Sequence, residues 1–285
     1  MQNKPINYKI MDITKKFNSV SEFESYLTTG TTQPNFIGAE SSQNGSAEFC
    51  STENYEAANN LLKYGDLESL KKLENAGFNA AALKKINQTR PKNQTFASVA
   101  GFAPHVPNFV AGVPASMIQQ KKVNQKTKVL DVIYYCSFSG SVSASKIATV
   151  GAEVLKAVAT LEAAGTRVNL WVCECSNKNK QTISFFVKIK DAGQKFDPLK
   201  MAYIIINPSF LRRHCFRAME VTPGVTSKFV HSYGCPLSTN EIHEIIKKQR
   251  FQNFVFVNGG TVLSSWKKIG DAVADCFNTT AVPAA

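Results

Sequence analysis

Residues 126–278 alternate between apolar segments of strand length and amphipathic segments of helix length, and this alternation restricts the possible folds more than any other feature. Strands that are apolar along their whole length, with helices between them, are typical of a parallel sheet covered on both faces. A polar turn between the second and third strands indicates one antiparallel member. The predicted strands are Val129–Cys136, Arg167–Cys175, Thr182–Ile189 and Asn253–Val257, and the predicted helices are Lys146–Ala164, Glu241–Lys248 and Val262–Phe277.

The pattern therefore predicts an α/β fold with a mostly parallel sheet and helices on both faces. We assign this domain to residues 126–285. A smaller helical region precedes it over residues 1–92. There we expect a short helix at Phe17–Tyr26 and a helical pair over residues 52–77 that is interrupted at Gly65.

The segment 93–125 combines apolar residues with three prolines, Pro104, Pro107 and Pro114. Proline lacks a backbone N–H and restricts the residue before it, so this spacing argues against a helix and weakens any strand. We expect an irregular strap that packs along another surface and joins the helical region to the α/β domain.

The end of the first predicted strand carries the sequence Val129-Leu-Asp-Val-Ile-Tyr-Tyr-Cys-Ser-Phe-Ser-Gly-Ser141. It resembles the first strand of von Willebrand factor A domains, where Asp-x-Ser-x-Ser holds a divalent cation. Ser137 stands at the Asp position, and Ser139 and Ser141 match the two serines. The later segment Val255-Phe-Val-Asn258-Gly259 resembles a strand that ends in Asp-Gly in that family. The resemblance implies a Rossmann-like fold of this type.

Both departures from the family pattern, at Ser137 and Asn258, replace a carboxylate by a neutral group. Magnesium usually needs one or two carboxylates to offset its dehydration. We therefore expect no metal and no cofactor, and we expect the edge formed by Ser137, Ser139, Ser141 and Asn258 to serve for binding. The alternative is that the serines serve only turns and helix capping, with Ser143 or Ser145 as the cap.

The serine-rich loop could also bind phosphate at a helix N-terminus. However, Gly140 is the only glycine in the loop, so neither the P-loop nor the dinucleotide fingerprint is present. No Gly-x-Ser-x-Gly motif occurs, and acidic residues are sparse in the second half, so we rank an enzyme last.

The net charge of +12 is concentrated in the second half of the chain, where residues 93–285 hold 22 Lys and Arg against 11 Asp and Glu. Such an excess of positive charge suits binding of an acidic partner such as nucleic acid, but it is equally typical of a solvated basic surface. Arg212, Arg213 and Arg217 form the most concentrated positive patch. With Phe210 and Phe216 nearby, they could bind phosphates and stack a base.

The seven cysteines are an odd number without a paired Cys-x-x-Cys, and we expect buried free thiols. His214, Cys215, His231 and Cys235 could be considered as zinc ligands, but their spacing favours a chance cluster. No apolar run approaches the ~20 residues that span a bilayer, and the N-terminus lacks the apolar core of a signal peptide. We therefore expect no membrane association.

The segments 107–117 and 207–214, together with the serine-rich strand end, resemble an uncharacterised family encoded by tailed bacteriophages, over roughly residues 50–260. This resemblance implies a phage protein in the host cytoplasm or the virion. We expect a non-enzymatic protein whose partners are other phage or host proteins, with a virion or assembly role as one option and oligomerisation left open. Nucleic-acid binding by the basic second half is the alternative.

Overall fold

The computed structural model describes residues 12–78, 93–122, 129–194, 196–230, 233–251, 253–265 and 267–279. The strands in these ranges are β1 (Ile13–Phe17), β2 (Asn93–Ser98), β3 (Ala103–Pro104), β4 (Met117–Lys122), β5 (Val129–Tyr135), β6 (Arg167–Lys178), β7 (Gln181–Lys190), β8 (Cys235–Pro236) and β9 (Phe254–Asn258).

The helices are α1 (Val20–Thr29), α2 (Ser41–Asn44), α3 (Ala47–Cys50), α4 (Tyr55–Tyr64), α5 (Leu67–Asn75), α6 (Val106–Val110), α7 (Ala144–Ala163), α8 (Pro198–Ile206), α9 (Phe216–Val221), α10 (Thr239–Lys248), α11 (Gly259–Ser264) and α12 (Ile269–Thr279). A π-helix, Phe210–Cys215, leads directly into α9, and single 3₁₀ turns occur at Pro34–Phe36 and Ser227–Phe229.

The central sheet has the strand order β1-β7-β6-β5-β9, with the short β8 paired to the end of β6. β5 is parallel to both of its neighbours, and β1 is parallel to β7. The hairpin of β6 and β7 is antiparallel, as the sequence predicted. The prediction of an α/β fold with a mostly parallel sheet is therefore confirmed.

Helices cover both faces of the sheet. On the larger face, α7 buries Val150, Val154 and Val158 against strand residues such as Val132 and Val172. On the smaller face, Ile242 and Ile246 of α10 pack against Ile133 and Trp171. β5 is apolar on both sides because both of its faces lie under helices.

The N-terminal region is not separate from this domain, which corrects the expected division at residue 92. β1 pairs with β7 from Ile13 opposite Ile183 to Phe17 opposite Val187. Phe17, Phe23 of α1 and Leu62 of α4 join the larger core. The strand was not predicted because its sequence, ITKKF, is short and half polar, so only its pairing partner identifies it. The expected helix at Phe17–Tyr26 begins later, at Val20.

The helical pair expected over residues 52–77 is present as α4 and α5. Gly65 lies between them with a φ of +93° and ends α4, while the side chain of Asp66 caps α5 by accepting the backbone N–H of Ser69. Leu62 and Leu73 point from this pair into the larger core. Gly65 is required here because a side chain at positive φ would be strained.

The predicted irregular strap is wrong for residues 93–122, which form an antiparallel sheet of order β2-β4-β3 and the helix α6. Pro107 is tolerated because it occupies the first turn of α6, where no backbone N–H is needed. Gly101 lies so close to β4 that a Cβ would stand 2.1 Å from the carbonyl oxygen of Ile118. The apolar residues do not cover a neighbouring surface either, since Phe102 and Phe109 are 66% and 70% exposed.

The single helix expected at Val262–Phe277 is divided into α11 and α12. Within the described ranges, no helix combines the length and the apolar character needed to cross a bilayer.

Candidate functional site

The candidate site lies where β5 and β9 end side by side. Tyr135, the last residue of β5, stands opposite Asn258, the last residue of β9. Ser137 follows β5 by two residues, so the two neutral replacements do reach the same edge of the sheet. This is the crevice at the carboxyl ends of parallel strands, where α/β proteins commonly bind ligands.

The three serines do not act as one cluster. Ser137 is buried and 5% exposed, whereas Ser139 and Ser141 are exposed, with their hydroxyl oxygens 3.1 Å apart. Ser143 occupies the cap position of α7, but its hydroxyl contacts Ser145 and caps no backbone N–H among the described residues. The exposed loop surface is therefore formed by Ser139 and Ser141, and Ser137 belongs to the interior.

Asn258 is occupied by helix capping. Its side-chain oxygen accepts the backbone N–H groups of Gly260 at 3.0 Å and Thr261 at 3.2 Å, and its amide nitrogen donates to the hydroxyl of Thr239 at 3.2 Å. The hydroxyls of Thr239 and Thr261 lie 3.0 Å apart. An amide oxygen that already accepts two N–H groups is a poor ligand for a hard cation.

Glu174, which the sequence analysis missed, lies at the same edge. The backbone N–H of Cys136 bonds to the carbonyl of Cys173 at 3.0 Å, so Glu174 of β6 stands beside the chain as it leaves β5. Its side chain is 2% exposed, and Ser176 donates to one of its oxygens. The other oxygen and the hydroxyl of Ser137 form no hydrogen bond of regular geometry among the described residues.

Burial raises the pKa of Glu174 to about 8, and the hydroxyls of Ser176 and Ser137 only partly offset this effect. The carboxyl group is therefore mainly protonated and neutral at pH 7. A glutamate within the apolar run from Val172 to Cys175 was the signal in the sequence, but its position at this edge depends on the strand pairing. Ser137 and Asn258 supply no anionic oxygen, and the amide oxygen of Asn258 already accepts two backbone N–H groups, so these two positions lack the carboxylates that a divalent cation usually needs.

An open pocket of about 380 Å³ adjoins Asn258 on the side of α10 and α12. Thr239, Thr261 and His243 line it together with the ion pair of Lys267 and Asp275, whose Nζ and Oδ2 atoms are 2.5 Å apart. The pocket thus offers hydroxyl, imidazole and charged groups beside the strand end. These groups suit hydrogen bonding to a partner.

Arg213, expected in a surface patch, is instead fully buried. Its guanidinium donates to backbone carbonyls at 2.9–3.3 Å and to one hydroxyl at 3.4 Å, in the segment that contains α2 and α3. The acceptors are the carbonyls of Ser42, Gln43, Gly45, Thr52 and Glu53 and the hydroxyl of Thr52. A buried guanidinium needs this many acceptors to replace its water.

The other two arginines are also engaged. Arg212 donates to the carbonyl of Phe49 and stacks on its ring, with 4.2 Å from the guanidinium carbon to the ring centre. Arg217 donates to the hydroxyl of Thr32 at 2.6 Å and to the carbonyl of Gly30 at 3.2 Å. Arg213 is therefore removed from the expected surface patch by burial, and Arg212 and Arg217 are tied to the N-terminal segment, so the three arginines do not form one exposed cluster.

The possible zinc ligands are not assembled either. His214 is buried, and its two ring nitrogens contact the hydroxyl of Tyr203 at 3.1 Å and the side-chain oxygen of Asn59 at 2.9 Å. Burial, with a smaller contribution from Arg213, lowers the pKa of His214 to about 3. His231 lies outside the described residues, and within them no three His, Cys, Asp or Glu side chains could hold a metal ion.

No disulfide joins the seven cysteines, and five of them are buried as expected, whereas Cys235 is exposed and Cys276 only partly buried. Cys173 and Cys175 both point into the smaller core, which agrees with their spacing on one strand.

A family model described as a domain of unknown function, DUF7192, matches residues 6–276. The match covers nearly the whole chain, and the chain therefore belongs to this family. No curated protein and no solved structure matches the chain.

We predict that Arg213→Lys lowers the free energy of unfolding by about 3–5 kcal/mol, because a lysine cannot satisfy the carbonyls that the guanidinium binds. Arg212→Lys is the matched control and should cost under about 1 kcal/mol, because its site is partly exposed. Urea unfolding of both variants provides the measurement. Equal losses in the two variants would contradict the assigned role of Arg213.

We also predict that Glu174→Gln raises the free energy of unfolding at high pH. Because the pKa of Glu174 is raised, the folded state keeps its proton up to a pH of about 8, whereas the unfolded state loses it above a pH of about 4.5. The stability that the protonated carboxyl group contributes is present at low pH, falls as the pH rises, and is gone once the pH passes about 8. The amide avoids the cost of ionising in the interior. The free energy of unfolding of the variant, relative to that of the wild type, should therefore rise by about 2–4 kcal/mol from pH 5 to pH 8.5.

Urea midpoints at the two pH values measure this gain. Glu68→Gln serves as the control, because Glu68 is exposed on α5. A stability difference between Glu174→Gln and wild type that stays constant with pH would show that Glu174 ionises normally.

Proposed function

We propose that this protein is a non-enzymatic interaction protein of a tailed bacteriophage, which binds a protein partner through the loops at the carboxyl ends of β5 and β9 without a metal ion. The partner is another phage protein or a host protein, in the host cytoplasm or in the virion. A role as a virion or assembly component is compatible with this proposal.

The neutrality of the strand end is the observation that carries the proposal. A carboxylate is absent at Ser137 and Asn258, and Glu174 is held protonated beside them. The edge therefore offers a partner the exposed hydroxyl groups of Ser139 and Ser141, with no carboxylate at Ser137 or Asn258 beside them. Such groups form the polar hydrogen bonds that are common in protein interfaces.

The arrangement of the sheet supports the von Willebrand factor A resemblance. The strand with the degenerate motif, β5, is followed by a long helix and then by the parallel strand β6, in the order that the resemblance implies. The strand that ends at Asn258 pairs with β5 on its other side. Domains of this type bind proteins through that edge, which is the basis for choosing the same edge here.

Nucleic-acid binding by the basic second half is the alternative, and the excess of 11 positive charges in residues 93–285 is the observation in its favour. It ranks second because its strongest candidate contacts, the guanidinium groups of Arg212, Arg213 and Arg217, hold the N-terminal segment. Affinity for DNA or RNA that falls steeply with salt would favour this alternative.

The test of the proposed function uses the full chain as bait in lysates of phage-infected cells. The double variant Ser139→Arg with Ser141→Arg changes only exposed side chains of the loop, and it should weaken capture of the specific partner at least about tenfold, or about 1.4 kcal/mol. Ser25→Arg, on the exposed face of α1, is the matched control and should leave capture unchanged.

Capture by the wild-type chain should persist in EDTA, because the proposal includes no metal. A partner that the loop variant and the Ser25→Arg control capture equally well contradicts the proposal. A partner that EDTA releases from the wild-type chain contradicts it as well. Recovery of no specific protein by the wild-type bait also counts against it.

A further inference from the structure

The small sheet of β2, β3 and β4, with the loop that carries α6, exposes an unusual amount of apolar surface. We call residues 93–122 the small-sheet module. Twelve large hydrophobic side chains are exposed in the described part of the chain. Seven of them lie in the 18-residue stretch from 96 to 113, within this module: Phe96, Val99, Phe102, Val106, Phe109, Val110 and Val113. Isolated apolar residues are normal on a surface, but such a concentration indicates an interaction site.

The module is nevertheless a regular structure, and backbone and side-chain hydrogen bonds join its strands to its loops. The N–H of Phe102 bonds to the carbonyl of Ile118 at 2.9 Å, and that of His105 bonds to the carbonyl of Ser116 at 2.7 Å. The side chain of Asn108 donates to the carbonyl of Ala115 at 2.8 Å. The apolar side chains are therefore held outward by a defined backbone.

The module carries no Asp, Glu, Lys or Arg between Thr95 and Gln120. A charged partner surface would lose its hydration here without gaining an opposite charge. The partner surface must therefore be apolar and uncharged as well. The module itself has both properties between Thr95 and Gln120.

The amount of exposed surface is sufficient for a stable pair. From the exposed fractions of the seven side chains, the apolar area is on the order of 700 Å². This is close to the roughly 800 Å² that each partner contributes to an interface of standard size.

The two edges of the module differ. The β3 edge is two residues long and ends at Pro104, which cannot donate a hydrogen bond. β2 pairs with β4 over six residues, and the described residues place no strand on its other side. Between Thr95 and Ser98 it contains neither a proline nor a charge, which are the residues that normally protect an edge strand.

We propose that the small-sheet module is the surface through which two copies of this chain pair, with β2 antiparallel to β2 of the second copy. An edge strand paired with its own copy about a two-fold axis is self-complementary. The same axis brings the two sets of exposed apolar side chains close to each other and joins two three-stranded sheets into one. This proposal is independent of the strand-end function, because it involves other residues.

The charge of the chain gives the pair a distinctive salt dependence. Each copy carries a net charge of +12, so the two chains repel while the uncharged stretches from Thr95 to Gln120 attract. Salt screens the repulsion and leaves apolar burial intact, so pairing should strengthen as the salt concentration rises. Association through a shared nucleic acid would weaken instead.

Sedimentation velocity on the full-length protein tests the pairing, between about 1 and 100 µM and at low and high salt. We expect a species near twice the chain mass of 31.3 kDa, with more of it at high salt. The double variant Phe102→Asp with Phe109→Asp changes two exposed side chains, and its dimer dissociation constant should be at least about 100-fold higher than that of the wild type.

Leu67→Asp is the matched control, since Leu67 is 60% exposed at the start of α5, where an aspartate is well tolerated. It should dimerise like the wild type. Hydrogen exchange provides the second measurement, and the amides of β2 should be more protected in the wild-type dimer than in the double variant.

A wild-type chain that stays monomeric over the whole range overturns the proposal. So does a dimer that survives the double variant, a dimer that salt dissociates, or a dimer in which the β2 amides gain no protection.

Discussion

The parallel pairing of β5 with both β6 and β9 is the constraint on which the rest of the structure depends. Parallel strands must be joined by crossover connections, so helices are forced onto the faces of the sheet and the strand ends gather at one edge. That geometry places Asn258 directly opposite Tyr135 and brings Glu174 beside the exit from β5. The chemistry of the edge then follows from three neutral groups.

The basic character of the chain has a different meaning in the folded protein than in the sequence. Three arginines that suggest a phosphate site in the sequence are used to hold residues 30–53 against the π-helix and α9. Arg213 in particular replaces the water around its guanidinium by backbone carbonyls. Together with the pairing of β1 to β7, these bonds make the N-terminal segment part of the same body.

The sequence predicted strands β5, β6, β7 and β9 and helices α7 and α10, because each is either a short apolar run or an amphipathic segment of helix length. It did not predict the helical segment from α8 to α9, and it merged α11 and α12 into one helix. It did not predict β1, since a short half-polar strand is defined by its neighbour. It also failed for the small-sheet module, where prolines occupy a helix start and a strand end that tolerate them. The position of Ser137 and Asn258 followed from the strand ends, whereas Glu174 required the register between β5 and β6.

The most direct test of the central claim is a calorimetric titration of Mn²⁺ into the wild-type protein and into the double variant Ser137→Asp with Asn258→Asp. We expect no binding by the wild type at Mn²⁺ concentrations up to about 1 mM. The variant restores two carboxylates at the strand end, and its dissociation constant should lie at least about tenfold below that limit. A tight, stoichiometric ion in the wild-type protein would contradict the account.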